Sequence, residues 1–457
     1  GDVYKRQEFI IVKHKKGYFI DCEKSQSEDI FKQLNLYKIR SKVEILNLSN
    51  EFVVATFSYD RYLYIRKEDK TMTLLKKIIA ILAVSFVGVA GNLNADILDE
   101  IPADIRDFVY NPDFMDPNQP LGESVYRNWK SDRPLPWTIG YASSYAGNLW
   151  RKGVMERLYG DYLPKMKAAG ILNDIVVTQS NLKDAVQIQQ MRQLTDQGVD
   201  GLIVCCSNPV ALNPTIEYAY GKGVPTASMT GYLTSEYAIS TSVNYKLTGY
   251  YIAQWLAETI GGEGNVVIME GIPGTSASDS QHQGMLDGFA EYPDITVVAE
   301  IAHMWTPQIA QAELQKWLSA NTIQVDGFAV QSSGESGALN ALESSGRPMV
   351  PMALGGEIGA FCYWRNNPDF IDRAVYAWPP GDDAEFAMNV LLRTMYGQGL
   401  KIQSILVPPY EEDVETIQSF VPEDCDRNSS EFRTVGIENW ASDEYLNNFF
   451  DRGEALL

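Results

Sequence analysis

The sequence predicts an α/β protein built from two doubly wound lobes with a cleft between them. Short apolar runs alternate with helical patterns over most of the chain, which is the order typical of parallel sheets with right-handed crossovers. These units form two successive series of similar build, and polar loops follow the strands. Glycines such as Gly198 and Gly223 stand just after helical segments, where a helix ends most easily.

Each series consists of five predicted strands separated by helices. In the first series, apolar runs predict strands at residues 137–141, 174–178, 200–204, 224–228 and 239–243, and helical spacing predicts helices at 149–169, 184–197 and 209–222. A helix at 245–260 follows. The second series predicts strands at 265–270, 295–300, 326–330, 350–354 and 374–377, with helices at 280–290, 306–320, 335–345 and 383–396.

Charge divides the chain into a basic beginning and an acidic body. The net charge is −21, and residues 1–77 hold 16 basic and 11 acidic side chains. The remaining 380 residues therefore hold 22 basic and 48 acidic side chains. Binding to nucleic acid or to an anionic membrane needs a positively charged protein face. The acidic charge of residues 78–457 therefore predicts that neither is a partner.

The charge changes at a predicted secretory signal peptide, residues 72–95 (MTLLKKIIAILAVSFVGVAGNLNA). Two lysines precede an apolar run, and a polar end follows it, which is the layout of a cleaved signal rather than a membrane span. Cleavage after Ala95 would release a periplasmic protein. The next stretch, residues 96–136, is rich in Asp, Pro and Asn without a sustained period, and it predicts an N-terminal extension that is either an extended surface arm or a disordered leader.

The first 71 residues read as a separate fragment. The phrases GYFIDCE and LYKIRSKVEI within residues 9–66 resemble part of the folate-binding YgfZ family, which is related to the aminomethyltransferases. The later cysteine-containing motif of that family is missing, so the resemblance implies no activity. We expect residues 1–71 to be a spurious or fused segment, with the working protein starting at Met72.

Five phrases in residues 137–410 resemble one family in their order. They are GYASSYAGNLWR, QGVDGLIVCCSNPVALNPTI, EGIPGTSASDSQHQGMLDGF, VDGFAVQSSGESGALNALESSGR and WPPGDDA. The family is that of the type I, ribose-type periplasmic sugar-binding proteins of ABC importers. The resemblance implies two Rossmann-like lobes joined by a three-crossing hinge, near Asn244, Trp378 and residues 407–408. Lobe 1 then comprises 137–243 and 379–407, and lobe 2 comprises 244–378 and 408–457, including the C-terminal tail.

Ligands of such sheets lie at the carboxyl ends of the strands, where polar side chains and aromatic faces can bind a sugar. Ser143, Ser144, Tyr145 and Asn148 follow the first strand, and Asn244 opens a helix at a crossing. A serine in this position can instead cap the following helix, and Asn244 can do either.

The resemblance adds further candidates for ligand binding. Trp305 falls where the family has a stacking aromatic residue, and Gln331 where it has an amide. Glu357 takes an acidic position at a strand end, and Trp378 replaces a hinge glutamine. Packing in the core is the alternative for either tryptophan.

Two arginines that contact sugars in the family are missing here. Asp279 stands at one position, and Met229 with Thr230 replaces an Asp-Arg pair. The resemblance therefore implies an acidic and aromatic site. Such a site suits a neutral sugar or polyol, or an amino sugar through cation–π contact, and repels sugar phosphates.

No motif predicts catalysis, a metal or a cofactor. His282 and His303 are the only histidines after residue 95, and no HExxH, GxSxG or CxxC motif accompanies them. The glycines near Ile272 lack the lysine of a phosphate-binding loop. We therefore predict a protein that is not an enzyme.

Four cysteines follow the signal peptide. Cys362 and Cys425 can form a disulfide in an oxidising compartment, tying the tail to lobe 2. Cys205 and Cys206 are adjacent, and a bridge between neighbours is strained, so they are expected to be buried thiols.

The prediction is a monomeric substrate-binding component of an ABC importer, delivering a sugar, polyol or amino sugar to ABC permease subunits. The alternative is a periplasmic solute sensor of the same fold that acts through a membrane receptor.

Overall fold

The computed structural model describes residues 97–457 other than 206–207, 368–372, 377–378 and 430, with residues 373–376 and 414 described by backbone alone. Before residue 97 it describes the backbone of four strands. The predicted signal peptide, residues 72–95, lies outside the described residues. The chain divides into two compact units, Gly1–Asn92 and Leu93–Leu457.

The first unit contains two antiparallel hairpins. Strand β1 (Phe9–His14) pairs with β2 (Gly17–Cys22), and β3 (Phe52–Ser58) pairs with β4 (Arg61–Arg66). The interpretation of residues 1–71 as a spurious or fused segment stays a prediction.

In the second unit, the N-terminal extension packs against lobe 1. It forms helix α1 (Ala103–Val109) and a 3₁₀ turn at Pro112–Phe114. Tyr110 is buried, and its hydroxyl donates to the Ser404 carbonyl at 2.9 Å and accepts from the Leu406 amide at 2.9 Å. The expectation of a surface arm or a disordered leader is therefore wrong for the described part. Its apolar side chains are scattered without a period, and for this reason the pattern did not reveal a packed segment.

Lobe 1 contains a six-stranded parallel sheet in the order β14-β9-β8-β7-β5-β6. Its strands are β5 (Trp137–Ser143), β6 (Leu172–Gln179), β7 (Gly201–Cys205), β8 (Thr226–Met229), β9 (Ala238–Val243) and β14 (Ser404–Val407). The helices between them are α2 (Leu149–Arg157), α3 (Leu163–Ala168), α4 (Asp184–Asp196) and α5 (Asn213–Gly221), with a π turn at Leu158–Tyr162 joining α2 to α3. The doubly wound arrangement and the five strands predicted for this series are confirmed, and β14 adds a sixth.

Lobe 2 is built around a parallel sheet in the order β11-β10-β12. Its elements are α6 (Tyr245–Thr259), β10 (Glu263–Glu270), α7 (Ser276–Phe289), β11 (Asp294–Ala302), α8 (Pro307–Ala320), β12 (Gly327–Val330), α9 (Glu335–Ser345), α10 (Ile358–Asn366) and β13 (Arg373–Tyr376).

Within the residues that the structure describes, this second sheet has three strands and not the predicted five. Among the described residues, 350–354 form no continuous strand: Met352 bridges to Phe328, Leu354 is a second isolated bridge residue, and Pro351 has no amide hydrogen to extend the ladder. Strand β13 leaves the sheet and pairs antiparallel with β15 (Glu411–Asp413).

The order of the elements places crossings between the lobes after β9, between β13 and helix α11 (Pro380–Met395), and after β14. The predicted crossing residue Trp378 lies outside the described residues. A fourth crossing follows helix α12 (Val414–Phe420). The last helix, α13 (Asp443–Asn447), and its neighbour Phe449 pack in the core of lobe 1. The assignment of all of 408–457 to lobe 2 is therefore wrong for the end of the chain, because short helices without a long period carry little information about their packing partner.

The Cys362–Cys425 disulfide is present and ties the segment after α12 to α10. Cys205 is a buried thiol, as expected, and Cys206 lies outside the described residues. Within the described part of the chain, no helix is both long and apolar enough to span a bilayer.

Helices α6 and α7 touch through their backbones. A Cβ atom on Gly284 would lie 1.9 Å from the Lys246 carbonyl oxygen, closer than any real contact. We expect Gly284→Ala to lower the free energy of unfolding by about 2–3 kcal/mol, because the overpacked helices must separate. Urea denaturation measures this. Gly221→Ala is the matched control, since nothing lies within 4 Å of that site; equal effects of the two substitutions would contradict the contact.

Candidate functional site

The carboxyl ends of the strands in both lobes enclose a cavity of about 490 Å³, open solvent at its mouth included. We call this cavity the cleft. Its lining comes from lobe 1 (Tyr145, Asn148, Trp150, Arg151, Thr230), from the first helix after the crossing (Tyr245) and from lobe 2 (Gln281, Trp305, Ser332, Ser333).

Two hydrogen bonds join the walls of the cleft. The Asn148 side chain caps α2 by accepting from the Arg151 amide at 3.0 Å, and its Nδ2 donates to the Trp305 carbonyl of lobe 2 at 3.1 Å. The hydroxyls of Tyr145 and Thr306 lie 3.4 Å apart. Tyr145 and Asn148, both predicted from the sequence, therefore hold the two lobes together at this edge.

Trp305 stands in a strained turn after β11. Met304 and Trp305 both have left-handed backbones, with φ of 55° and 48°. The indole lies against Gly271, where a Cβ atom would come within 2.0 Å of the ring. The Met304 amide also donates to the Gly271 carbonyl at 3.1 Å. This packing holds the aromatic ring at the cleft, and only glycine at position 271 permits it.

Arg151 provides a positive charge that sequence reasoning did not anticipate in the cleft. It is buried, and its Nη1 donates to the Tyr141 hydroxyl at 3.2 Å and to Cys205 Sγ at 2.6 Å. Its guanidinium also lies 4.9 Å from the Trp150 ring centroid. The sequence did contain a signal for this charge. Trp150 and Arg151 both fall in the first turn of the helix that Asn148 caps, shortly after the end of a strand.

Asp279 does not line the cleft. Helix α7 begins at Ser276, and Asp279 lies on its exposed side, where Oδ1 accepts from the Gly274 amide at 2.9 Å. Gln281 faces the cleft instead. Two residues along a helix correspond to about 200° of rotation about its axis, so the side chains of Asp279 and Gln281 point in nearly opposite directions. The implied acidic site is therefore wrong at this position.

Ser143 and Ser144 shape the loop after β5. Both are buried; the Ser143 hydroxyl donates to the Tyr145 carbonyl at 3.1 Å, and the Ser144 carbonyl accepts from the Leu182 amide at 2.7 Å. Neither lines the cleft. As ligand contacts they stay predictions.

Met229 and Thr230 have different roles. Met229 is buried in the core of lobe 1, whereas Thr230, the next residue, lines the cleft. Thr230 has a left-handed backbone with φ of 62°, and its hydroxyl donates to the buried Asp383 carboxylate at the start of α11. The strand end thus presents its threonine, not its methionine, to the cleft.

Gln331 is fully buried and ties together the strand ends beneath the cleft. Its Oε1 accepts from the Gly271 amide at 2.8 Å and the Ser278 hydroxyl at 3.0 Å, and its Nε2 donates to the Ser278 carbonyl at 2.9 Å. It therefore positions the loop that supports Trp305. Trp378, the last of the predicted set, lies outside the described residues.

Asn244 lines a second, smaller cavity where the N-terminal extension meets both lobes. Its Oδ1 caps α6 by accepting from the Leu247 amide at 3.0 Å, and its Nδ2 donates to the Val109 carbonyl at 2.8 Å. Asp116 crosses this junction and accepts from the hydroxyls of Ser280 and Tyr232. Of the two roles left open for Asn244, the structure therefore shows the cap.

Glu357 forms a buried carboxyl pair with Glu335 behind the Ser332–Ser333 loop. The Ser336 amide donates to Glu357 at 2.9 Å, and the Gly334 amide donates to Glu335 at 2.9 Å. Burial raises the pKa of both carboxyls, and repulsion from Glu357 raises that of Glu335 further. Glu357 stays behind the cleft and adds no acidic side chain to its lining.

This pair predicts a pH-dependent effect of Glu335→Gln. A carboxyl whose pKa is raised on folding keeps its proton in the native state, so its contribution to stability falls as pH rises above the unfolded value of about 4.3. Glutamine removes that loss. The stability of the variant relative to the parent should therefore increase between pH 5 and pH 8 in urea denaturation. A difference independent of pH would contradict a raised pKa of Glu335, and Glu343→Gln, on an exposed part of α9, is the control.

Comparison with known proteins gives a family match and several relatives. Residues 139–399 match the model of the periplasmic binding protein domain. The xylitol-binding protein of Mycolicibacterium smegmatis is 32% identical over 181 residues, covering 39% of this chain and 52% of that protein. The ribose import binding protein of Bacillus subtilis is 24% identical over 191 residues, covering 40% and 59%. The chain thus spans between half and two thirds of the length of these relatives.

Solved structures share the fold. A periplasmic solute-binding protein of an ABC transporter from Actinobacillus succinogenes, with bound D-allose, superposes with a TM-score of 0.53 at 23% identity, covering 62% of this chain and 99% of that one. The Caulobacter myo-inositol binding protein, bound to myo-inositol, gives 0.55 at 17% identity, covering 63% and 96%. At such identities the likeness shows the fold, here the type I two-lobed arrangement.

Proposed function

Because the chain belongs to the periplasmic binding protein domain family, we propose that it is the substrate-binding component of an ABC importer and binds a neutral sugar or polyol in the cleft. Lobe closure would exclude water from the solute, and the closed protein would deliver it to a membrane permease. The proposal is a binding function, in keeping with a family of binding proteins rather than enzymes.

The lining of the cleft is the observation that carries the proposal. Aromatic faces from Trp150, Trp305 and two tyrosines stand beside the amides of Asn148 and Gln281 and the hydroxyls of neighbouring residues. Aromatic faces cover the C–H surface of a sugar, and amides and hydroxyls both donate to and accept from its hydroxyl groups. Such a lining supports a polyhydroxylated ligand.

Charge in the cleft favours a neutral ligand over a cationic one. Among the described residues that line it, Arg151 is the only charged side chain, and no carboxylate is present. No carboxylate among these lining residues is available to bind an ammonium group, so the cationic ligand allowed by the predicted acidic site loses its support. The relatives named above for xylitol and ribose binding support the same ligand class.

A thermal-shift screen of the full chain tests the ligand class. The panel consists of xylitol, D-ribose, D-allose, myo-inositol, D-glucosamine and ribose 5-phosphate. A ligand at 100 times its Kd stabilises the native state by about 2.7 kcal/mol, so a neutral member of the panel should raise the Tm by a few degrees. A shift with glucosamine or ribose 5-phosphate alone would overturn the neutral assignment.

Family membership implies a periplasmic or secreted location. We further propose that residues 72–95 act as the signal peptide for export, that the exported protein is a monomer, and that its partners are ABC permease subunits. Fractionation of cells that express the chain, followed by N-terminal sequencing of the exported form, tests the first point. An N-terminus at Asp96 is the expected result.

A further inference from the structure

A second group of polar side chains lies on lobe 2, apart from the residues that line the cleft. Glu270 ends β10, Glu300 lies on the edge strand β11, and His282 projects from α7 between them. The His282 Nδ1 is 3.3 Å from Glu270 Oε2, and its Nε2 is 3.5 Å from Glu300 Oε2. One ligand atom from each residue can be chosen so that all three lie within 4.8 Å of one another.

The hydrogen bonding of this cluster is incomplete. The Nδ1 atom of His282 is shielded from solvent and forms no hydrogen bond within the described structure, although a carboxylate oxygen stands beside it. Buried polar atoms are nearly always satisfied, and a cation held between this ring nitrogen and the Glu270 carboxylate would satisfy both.

The charge of the cluster is also unbalanced. The carboxylates of Glu270 and Glu300 face the two nitrogens of a single imidazole, and one ring cannot balance both of them. A divalent cation held among the three side chains would balance the two carboxylates.

We propose that Glu270, His282 and Glu300 form a binding site for a divalent first-row transition metal, with Zn²⁺ as the best fit. One imidazole nitrogen with two carboxylate oxygens is a donor set suited to Zn²⁺, whereas Ca²⁺ prefers six to eight oxygens. Zinc holds N and O ligands at about 2.0–2.2 Å, so the ligand atoms have to draw closer than their present separations. Glu300 is half exposed and can rotate to achieve this.

The site would brace the strand ends behind the cleft. Glu270 precedes Gly271, on which Trp305 packs, and the Glu270 carbonyl accepts from the His303 amide at 2.8 Å. A metal that joins β10, β11 and α7 would stabilise this part of lobe 2, because it binds the folded arrangement and not the unfolded chain.

Titration calorimetry of the full chain, free of any affinity tag and stripped with EDTA, tests the site with ZnCl₂, CaCl₂ and MgCl₂ in turn. We expect one equivalent of Zn²⁺ to bind with a micromolar or tighter Kd, and neither of the other two ions to compete at a hundredfold excess. His282→Gln should weaken Zn²⁺ binding at least thirtyfold, and Glu300→Gln about tenfold.

Glu263→Gln is the matched control, because Glu263 is an exposed carboxylate at the opposite end of the same strand. It should leave the Kd unchanged. If His282→Gln does not fold, the half-exposed Glu300→Gln variant decides. Absence of a saturable one-equivalent site, or a Zn²⁺ affinity unaffected by the folded cluster variants, would overturn the proposal. Sugar binding to the cleft is measured in a separate experiment, so a negative result with Zn²⁺ does not affect the assignment of the cleft as the sugar site.

Discussion

Trp305→Ala should weaken binding of the cleft's ligand by about thirtyfold or more. The indole is held in place by Gly271 on one side and by a left-handed backbone, so its face is preorganised for the ligand. Aromatic anchors of this kind contribute about 2 kcal/mol or more when removed, and 1.4 kcal/mol corresponds to a factor of ten in Kd. The Asn148 hydrogen bond is made to the Trp305 backbone carbonyl, so the link between the lobes survives the substitution. Titration calorimetry with the best ligand of the thermal-shift screen measures the change.

Two control variants separate the loss of the aromatic face from general damage. Trp305→Phe keeps an aromatic ring in the turn and should lose much less affinity than the alanine variant. Trp129→Ala removes a tryptophan of similar partial burial that packs on the core of lobe 1, outside the cleft. It should leave the Kd unchanged. Equal affinity of the parent and Trp305→Ala would show that this ring does not contact the ligand.

Asp382→Ala should lower the free energy of unfolding by about 3–5 kcal/mol, because it removes the acceptor of four hydrogen bonds and leaves their donors without a partner. The Asp382 side chain is fully buried, and its Oδ1 accepts from Arg157 Nη2 at 2.8 Å. Its Oδ2 accepts from the amides of Val435 and Gly436 at 3.2 and 2.8 Å and from the Trp440 indole at 3.4 Å. One carboxylate therefore fastens the fourth crossing to lobe 1.

Urea denaturation and limited proteolysis together test this role. The substitution should expose the backbone near Gly436, so a protease should cut there at denaturant concentrations at which the parent resists. Asp132→Ala is the control, because Asp132 is exposed and should change stability by less than about 0.5 kcal/mol. Normal stability together with an uncut tail would mean that the hydrogen bonds to Asp382 do not hold the tail.

Regular elements were predicted well because their apolar periods are set by burial on a sheet. Strands β5 to β12 and the helices between them fall within a few residues of their predicted positions. Helix α10, the departure of β13 from the sheet and the return of the tail to lobe 1 were not predicted. Each of these features depends on contacts between segments far apart in the sequence, such as those of Asp382 with Gly436. The local spacing of apolar residues gives no information about such contacts.

The candidate site could be predicted as a region, but less well residue by residue. Tyr145, Asn148 and Trp305 were predicted and line the cleft. Asp279 was chosen because it stands where the resembling family has a sugar-contacting arginine, whereas α7 presents Gln281, two positions further on and on the opposite face, to the cleft. Arg151 was missed because a charged residue in a first helical turn usually points to solvent.

The most direct test of the cleft as the binding site is hydrogen–deuterium exchange of the full chain with and without the best ligand of the screen. A solute bound between the lobes should slow exchange on both walls at once, around Asn148 in lobe 1 and around Trp305 and Ser333 in lobe 2. Protection confined to one lobe, or to segments away from the cleft, would contradict the account.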